Sequence, residues 1–292
     1  MLSSKEVNQY KNDGYCVSSE FLNRAQLDRM LKEIEEMSAG STVSSHDATR
    51  MEMEPLQPPS GTLVRRIYDP CTYYPSFREF SESAVLLDAL EQLLGPNLEL
   101  HYSKINMKPP AIGSVVDWHQ DLSYYPLTNQ DSLAVLFYLD DATRTNGCLQ
   151  VIPGPQTQPL LNHTRDGIFQ GRITEPVEAS KSVALEGRAG TAIFMNGMTP
   201  HASAPNTSPH PRRTLILSYR AADAFPIYIP EMTAKQAVHS RLVRGHRATV
   251  ARFTMGAFPI PRYPKQTKSL YELQELSREK EHRESNSAQR PD

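Results

Sequence analysis

The chain is poor in cysteine, has no long apolar run and has no excess of charge of either sign, and each shortage closes off a class of protein. Its three cysteines, Cys16, Cys71 and Cys148, are an odd number without CxxC spacing, so neither a disulfide framework nor a thiolate zinc site is expected. Reduced thiols in the cytoplasm are the expectation. No stretch reaches the roughly eighteen consecutive apolar residues of a membrane helix, and the polar start, Met1 to Asn12, lacks the apolar core of a secretory leader. No membrane partner is expected. Lys plus Arg number 31 against 33 Asp plus Glu, a net charge of −2, which offers nucleic acid no general attraction. What remains is 292 residues, 39% hydrophobic and 22% charged, ordinary for a folded chain that acts on a small molecule. The sequence sets no oligomeric state.

Local signals organise the first third into helices. Ser3 followed by Glu6 reads as a capping box, and Asp13-Gly14 ends that run. Tyr15 to Leu22 reads as extended chain. Arg24 to Ala39 places Leu27, Met30, Leu31 and Ile34 on one helical face, and Ser83 to Leu94 does so with Val85, Leu86, Leu90, Leu93 and Leu94 before Gly95-Pro96 stops it. Residues 40–61, rich in Ser, Thr, Met and Pro without a period, are expected to form a lid loop. Leu63 to Tyr68 is strand-like. From Leu98 onward short extended runs dominate: Leu98–Met107, Leu133–Leu139, Cys148–Ile152, Ser182–Leu185, Thr191–Met195 and Arg213–Tyr219, the texture of a sandwich or barrel. Charge-rich residues 278–292 are expected to be a disordered tail, leaving 1–277 as a single domain.

Trp118-His119-Gln120-Asp121 sets a His and a carboxylate two residues apart, and in extended chain such positions project from one face. A third ligand from a distant strand would complete two His and one carboxylate, the set that suits iron(II) oxygenases. His201 is the candidate. Eleven positions later stands Arg212, which a hairpin would return toward the metal, where its fork can hold the distal carboxylate of 2-oxoglutarate.

Four blocks carry a resemblance: His101-Tyr-Ser-Lys-Ile-Asn-Met-Lys-Pro-Pro110, His119-Gln-Asp-Leu-Ser-Tyr-Tyr-Pro126, Asn146-Gly-Cys-Leu-Gln-Val-Ile-Pro-Gly154 and His201 with Arg212. In this order they resemble the phytanoyl-CoA dioxygenase family. That resemblance implies a mainly β fold with flanking helices, a double-stranded β-helix or jelly-roll core of cupin-like form. It implies Fe(II) held by His119, Asp121 and His201, with 2-oxoglutarate as cosubstrate on Arg212 and O2 as oxidant. By position relative to the blocks, Arg66 resembles a second basic cosubstrate contact, and Phe137, standing where some members have Trp, is the implied aromatic residue of the cofactor site, offering packing in place of an indole hydrogen bond. Tyr124, just after the metal strand, is a candidate substrate contact. Gly147, Pro153 and Gly154 read as turn residues.

The implied activity is hydroxylation of an aliphatic C–H of a small metabolite, with release of succinate and CO2, in the manner of secondary metabolism. Three alternatives stay open: the same chemistry on an acyl-CoA, a non-catalytic cupin-like ligand-binding module, and a zinc hydrolase. Substrate identity is expected to lie in residues 40–61 and 222–259. An acyl-CoA would call on Arg241, Arg244 and Arg247, otherwise read with Arg252 as a solvated helix face. A free metabolite would call on Met51, Met53, Phe225 and Tyr228 as an apolar wall.

Overall fold

The computed structural model describes the chain except residues 156, 230–236, 255–259, 261, 264–268 and 289–292, and describes 284–288 by backbone alone. Helix α1, Ser4–Asp13, starts at the expected capping box: the Glu6 amide donates to Ser3 Oγ at 3.3 Å, and the Ser3 amide donates to Glu6 at 2.7 Å. It stops at Gly14, where φ is 77°. A Cβ there would also collide with Thr199 Oγ1, so both backbone conformation and close approach require glycine. Helix α2, Arg24–Ser38, opens on a second capping box, Asn23 with Gln26, and buries Leu27, Met30 and Ile34. Helices α3 (Pro70–Tyr73) and α4 (Pro75–Ser81) each begin on proline, and α5 (Ala84–Leu94) buries Leu86, Leu87 and Leu90. Val85, expected on that face, is 59% exposed, because it lies on the far side of the helix from Leu87.

The strands are β1 Tyr15–Ser18, β2 Met51–Met53, β3 Val64–Tyr68, β4 Leu98–Lys108, β5 Val116–His119, β6 Ser132–Tyr138, β7 Leu149–Val151, β8 Thr164–Arg165, β9 Ile168–Phe169, β10 Val183–Leu185, β11 Ala192–Asn196, β12 His201–Ser203, β13 Arg212–Ala221 and β14 Arg241–Arg244. The larger sheet runs β1-β11-β6-β13-β4-β3-β2, with β14 also paired to β4, and the smaller runs β10-β7-β12-β5. Alternation along the central strands then sorts side chains between two cores. Val135, Phe137, Phe194, Leu215 and Leu217 turn outward and pack with Leu27, Ile34, Phe80 and Leu86 of the helices. Ala134, Leu136, Ile193, Met195 and Ile216 turn inward and meet Leu149, Val151 and Leu185 of the smaller sheet. The result is a jelly roll with helices on the outside of its larger sheet, as expected.

Three peripheral expectations change. Residues 40–61 include β2, paired with β3, whose Met51 and Met53 are buried in the outer core, while Ala48 and Thr49 of the same segment do line a cavity beside His119 and Asp121. Arg241–Arg244 is a strand, not a helix face, because β4 leaves pairing positions open at Leu98–Leu100. Residues 278–288, expected to be disordered, continue a helix spanning Leu270–Ala288, and the rest of that expected tail, 289–292, lies outside the described residues. Its charges have partners on β5, β8 and the neighbouring loops: Arg278 bonds Asp117, Lys280 lies 3.0 Å from Asp166, and Glu281 pairs with Arg165 and Arg172. Among the described residues no helix is long and apolar enough to cross a membrane.

Candidate metal centre and adjoining cavities

Strands β5 and β12 are neighbours, and His201 pairs directly with His119, so their ring centroids lie 4.0 Å apart. The carboxylate arrives differently from the spacing argument. Strand β5 ends at His119, and Asp121 opens a 3-10 turn, Asp121–Tyr124; Gln120 between them stays extended, with φ −121° and ψ 128°. That one extended residue carries the alternation past the strand end and returns Asp121 to the side of His119. Asp121 Oδ1 lies 3.8 Å from Nε2 of each histidine, and one ligand atom from each of the three residues lies within 4.8 Å of the others. Donors this close can share one ion and leave its remaining positions open.

The histidines are prepared for that task from behind. His119 Nδ1 donates to Asp117 O at 2.8 Å and His201 Nδ1 donates to Thr199 O at 3.0 Å, which turns both Nε2 lone pairs toward Asp121. Burial, with His201 adding, holds His119 well below the usual histidine pKa, and burial lowers His201 against the pull of Asp121. Both rings are therefore neutral and able to ligate. The carbonyl serving His201 is itself anchored, since Thr199 Oγ1 donates to Gly14 O at 2.9 Å. The Gln120 amide donates to His163 Nε2 at 3.1 Å, and its side chain donates to Met198 O at 2.6 Å. His163 thus holds the backbone between two of the candidate ligands.

Arg212 reaches the centre without a hairpin. Strand β12 belongs to the smaller sheet and β13 to the larger, so the chain crosses between sheets, and Arg212 faces the interior by alternation. It is buried, donates from Nη1 to Thr214 Oγ1 at 2.5 Å, and leaves Nε without a partner. Arg213 turns the other way onto Asp140, at 2.9 and 2.7 Å. Arg212 makes no ion pair among the described residues. Burial lowers its pKa. It shares a narrow pocket with His119, Asp121, His201, Asn106, Lys108 and Tyr271.

A wider cavity of about 500 Å³ opens on the other side of His119 and Asp121, lined among others by Arg66, Tyr68, Tyr102, Lys104, Tyr124 and Tyr125. Arg66, expected beside the cosubstrate, lines this cavity and not the pocket of Arg212. Its Nε donates to Asn106 Oδ1 at 3.0 Å, while its buried Nη2 has no partner. Tyr124 stands edge-on to His119, centroids 5.8 Å apart, with its hydroxyl donating to Gly171 O, so it offers a ring wall and not a free hydroxyl. Phe137 is a correction. It packs against Phe21 and Phe80 at centroid distances of 5.8 and 5.0 Å in the outer core and lines neither cavity; Ala134 and Leu136 of the same strand face the pocket. Phe225 and Tyr228 are surface-exposed and likewise line neither cavity. The described part of 222–259 contributes Val238 and His239 instead.

The sequence reading passed over Lys104, on β4. Its ammonium sits 5.2 Å over the Tyr102 ring, and burial, with Arg66 adding and Asp121 opposing, lowers it to about 8. A signal was available: Tyr102, Lys104, Asn106 and Lys108 alternate with Ile105 and Met107, a polar face on a central strand.

The family profile described as Phytanoyl-CoA dioxygenase (PhyH) matches residues 10–214. A probable alpha-ketoglutarate-dependent hypophosphite dioxygenase of Stutzerimonas stutzeri is 29% identical over 231 residues, covering 77% of this chain and 80% of its own. A methylphosphonate hydroxylase of Gimesia maris is 27% identical over 220 residues, covering 75% of this chain and 81% of its own. Among solved structures, EctD from S. alaskensis with 2-oxoglutarate and 5-hydroxyectoine superposes with a TM-score of 0.65 at 23% identity, over 86% of this chain and 88% of that one.

Proposed function

The chain belongs to the phytanoyl-CoA dioxygenase family of iron- and 2-oxoglutarate-dependent enzymes, and from that premise we propose that it hydroxylates an aliphatic C–H of a small metabolite, releasing succinate and CO2. In this reading His119, Asp121 and His201 hold Fe(II). Arg212 takes the distal carboxylate of 2-oxoglutarate, and Tyr124 walls the substrate side. The observation that carries it is a buried guanidinium with an unpartnered Nε and no acidic partner, opening into the pocket that contains the three metal-ligand candidates. A buried cation without a counter-ion is costly, and a dicarboxylate supplies the missing charge in the bidentate form a guanidinium favours. When bound, the metal supplies the open positions at which cosubstrate and O2 are activated. The protein's own contribution is to keep both imidazoles neutral, to aim their Nε2 atoms through Asp117 and Thr199, and to enclose the site between two sheets.

Hydroxylation is favoured over halogenation because Asp121 is present to occupy a metal position. A zinc hydrolase would leave Arg212 without a task, and a non-catalytic module would not need all three ligands. An acyl-CoA is disfavoured because two of the three arginines that would meet its phosphates are engaged, Arg241 with Glu82 and Arg244 with Asp88 and Glu91, each at 2.8 Å, which leaves only the exposed Arg247. A cytoplasmic setting is supported by the three buried free thiols. The test is anaerobic addition of Fe(II) and 2-oxoglutarate, which should produce a metal-to-ligand absorption band, followed by oxygen and measurement of succinate. No band and no succinate would refute the reading.

A further inference from the structure

Lys104 carries a charge for which the fold provides no partner. It stands on the interior face of β4 and lines both the narrow pocket and the wide cavity. Among the described residues its ammonium makes no ion pair and no hydrogen bond. It leans instead over Tyr102, 5.2 Å from the ring centroid, and Tyr102 lines the wide cavity but not the pocket. Lys108, on the same face, shows what a structural lysine looks like here: it donates to Ser114 O at 2.6 Å and Ala204 O at 2.5 Å. Beside Lys104 in the wide cavity stands Arg66, whose guanidinium lies over the Tyr68 and Tyr271 rings but whose buried Nη2 has no hydrogen-bond partner.

Two incompletely paired cations in one cavity are costly unless a ligand completes them. Loading the site does not resolve the imbalance. A divalent metal and a doubly negative cosubstrate cancel, which among the residues lining the two cavities leaves Asp121 and Asp69 against Arg66, Lys104 and Arg212. Asp69, buried in the same lining with Oδ1 unpartnered, compensates only in part, because burial pushes its carboxyl up to about 7.

Resting on the oxygenase reading above, we propose that the substrate carries an anionic oxygen group, a carboxylate, phosphonate or phosphinate, which Lys104 and Arg66 hold in the wide cavity. Tyr102, Tyr124 and Tyr125 wall the remainder of the molecule, and a volume of about 500 Å³ confines it to small-metabolite size. Lys104 is then a specificity-determining residue, and the anion it holds orients the adjacent bond toward the metal.

The experiment begins with enzyme loaded anaerobically with Fe(II) and 2-oxoglutarate. Absence of the absorption band overturns the oxygenase reading and this proposal with it. With the band present, small carboxylates and phosphonates are compared with their neutral amides and esters, for perturbation of the band and for stimulated succinate formation. Anions active where their neutral counterparts are not is the expected result; neutral compounds acting equally well, or no anion perturbing the band, overturns the proposal. In Lys104→Met the apparent KM for the active anion should rise by about 10- to 100-fold, the loss of one charge-assisted hydrogen bond, while Lys104→Arg recovers much of it. A KM for 2-oxoglutarate that rises in Lys104→Met by the same factor would move Lys104 to the cosubstrate and overturn the assignment.

Discussion

Replacing Arg212 by methionine separates a ligand-binding arginine from a structural one, because the two readings predict opposite signs. The guanidinium is 5% exposed, has one protein hydrogen bond, to Thr214 at 2.5 Å, and leaves Nε unpartnered. Without a counter-ion its burial costs several kcal/mol, against which the Thr214 bond returns only about 1–2 kcal/mol. Methionine fills similar length without charge, so ligand-free Arg212→Met should melt at or above the wild-type temperature. With cosubstrate the sign reverses. Removing one side of a buried bidentate pair costs about 2–5 kcal/mol, which is a rise of about 30-fold to several thousand-fold in the 2-oxoglutarate Kd. Titrating the anaerobic absorption band with 2-oxoglutarate reads that constant directly, and a thermal melt reads the other. Arg212→Lys should recover part of the affinity, since it restores charge but not the fork. An unchanged 2-oxoglutarate titration with iron still bound, or a loss of several kcal/mol in ligand-free stability, would refute the reasoning.

His119→Ala, Asp121→Ala and His201→Ala should each fold yet lose iron affinity by at least about 100-fold and lose turnover with it; metal content after desalting and succinate formation check this, and near-wild-type activity in any one would falsify its assignment. Phe137→Leu should cost about 1–2 kcal/mol of stability through its contacts with Phe21 and Phe80 yet leave the 2-oxoglutarate titration unmoved, whereas a shifted titration would return Phe137 to the site. Asp69, with its carboxyl raised from 3.8 to about 7 by burial, binds a proton more readily folded than unfolded, so its contribution is present at low pH and is lost as pH rises through about 7. Asp69→Asn tolerates the φ of 51° and should flatten that decline in melting temperature between about pH 4 and pH 7; an unchanged slope would show that another group carries it.

Much of this molecule was legible locally. The caps at Ser3 and Gly14, the helical faces of α2 and α5 and the strand runs rest on periods and turn chemistry that operate over a few residues. The residue types at His119, Asp121, His201 and Arg212, the candidate ligands, are chemistry that a linear string records, and the blocks around them set the family. What the string did not record is the phase in which each strand meets its neighbours. Leu136 and Phe137 are equally apolar and adjacent, and only the stacking of the larger sheet between helices and smaller sheet sends one to the pocket and the other to the outer core.

The same distinction explains the remaining differences. Arg241–Arg244 and the helix from Leu270 carry charge runs that read as solvated or disordered, because the acids that pair with them lie far away in sequence, at Glu82, Asp88, Asp117 and Asp166. Lys104 reads as one more lysine until β3, β4 and β13 enclose it without a counter-ion. Sequence by itself determined which groups can bind metal and cosubstrate, since coordination and charge belong to residue types. Tertiary structure alone decided which of them are brought within reach of one another and which charges are left without a partner, since both depend on contacts between segments that the chain order does not specify.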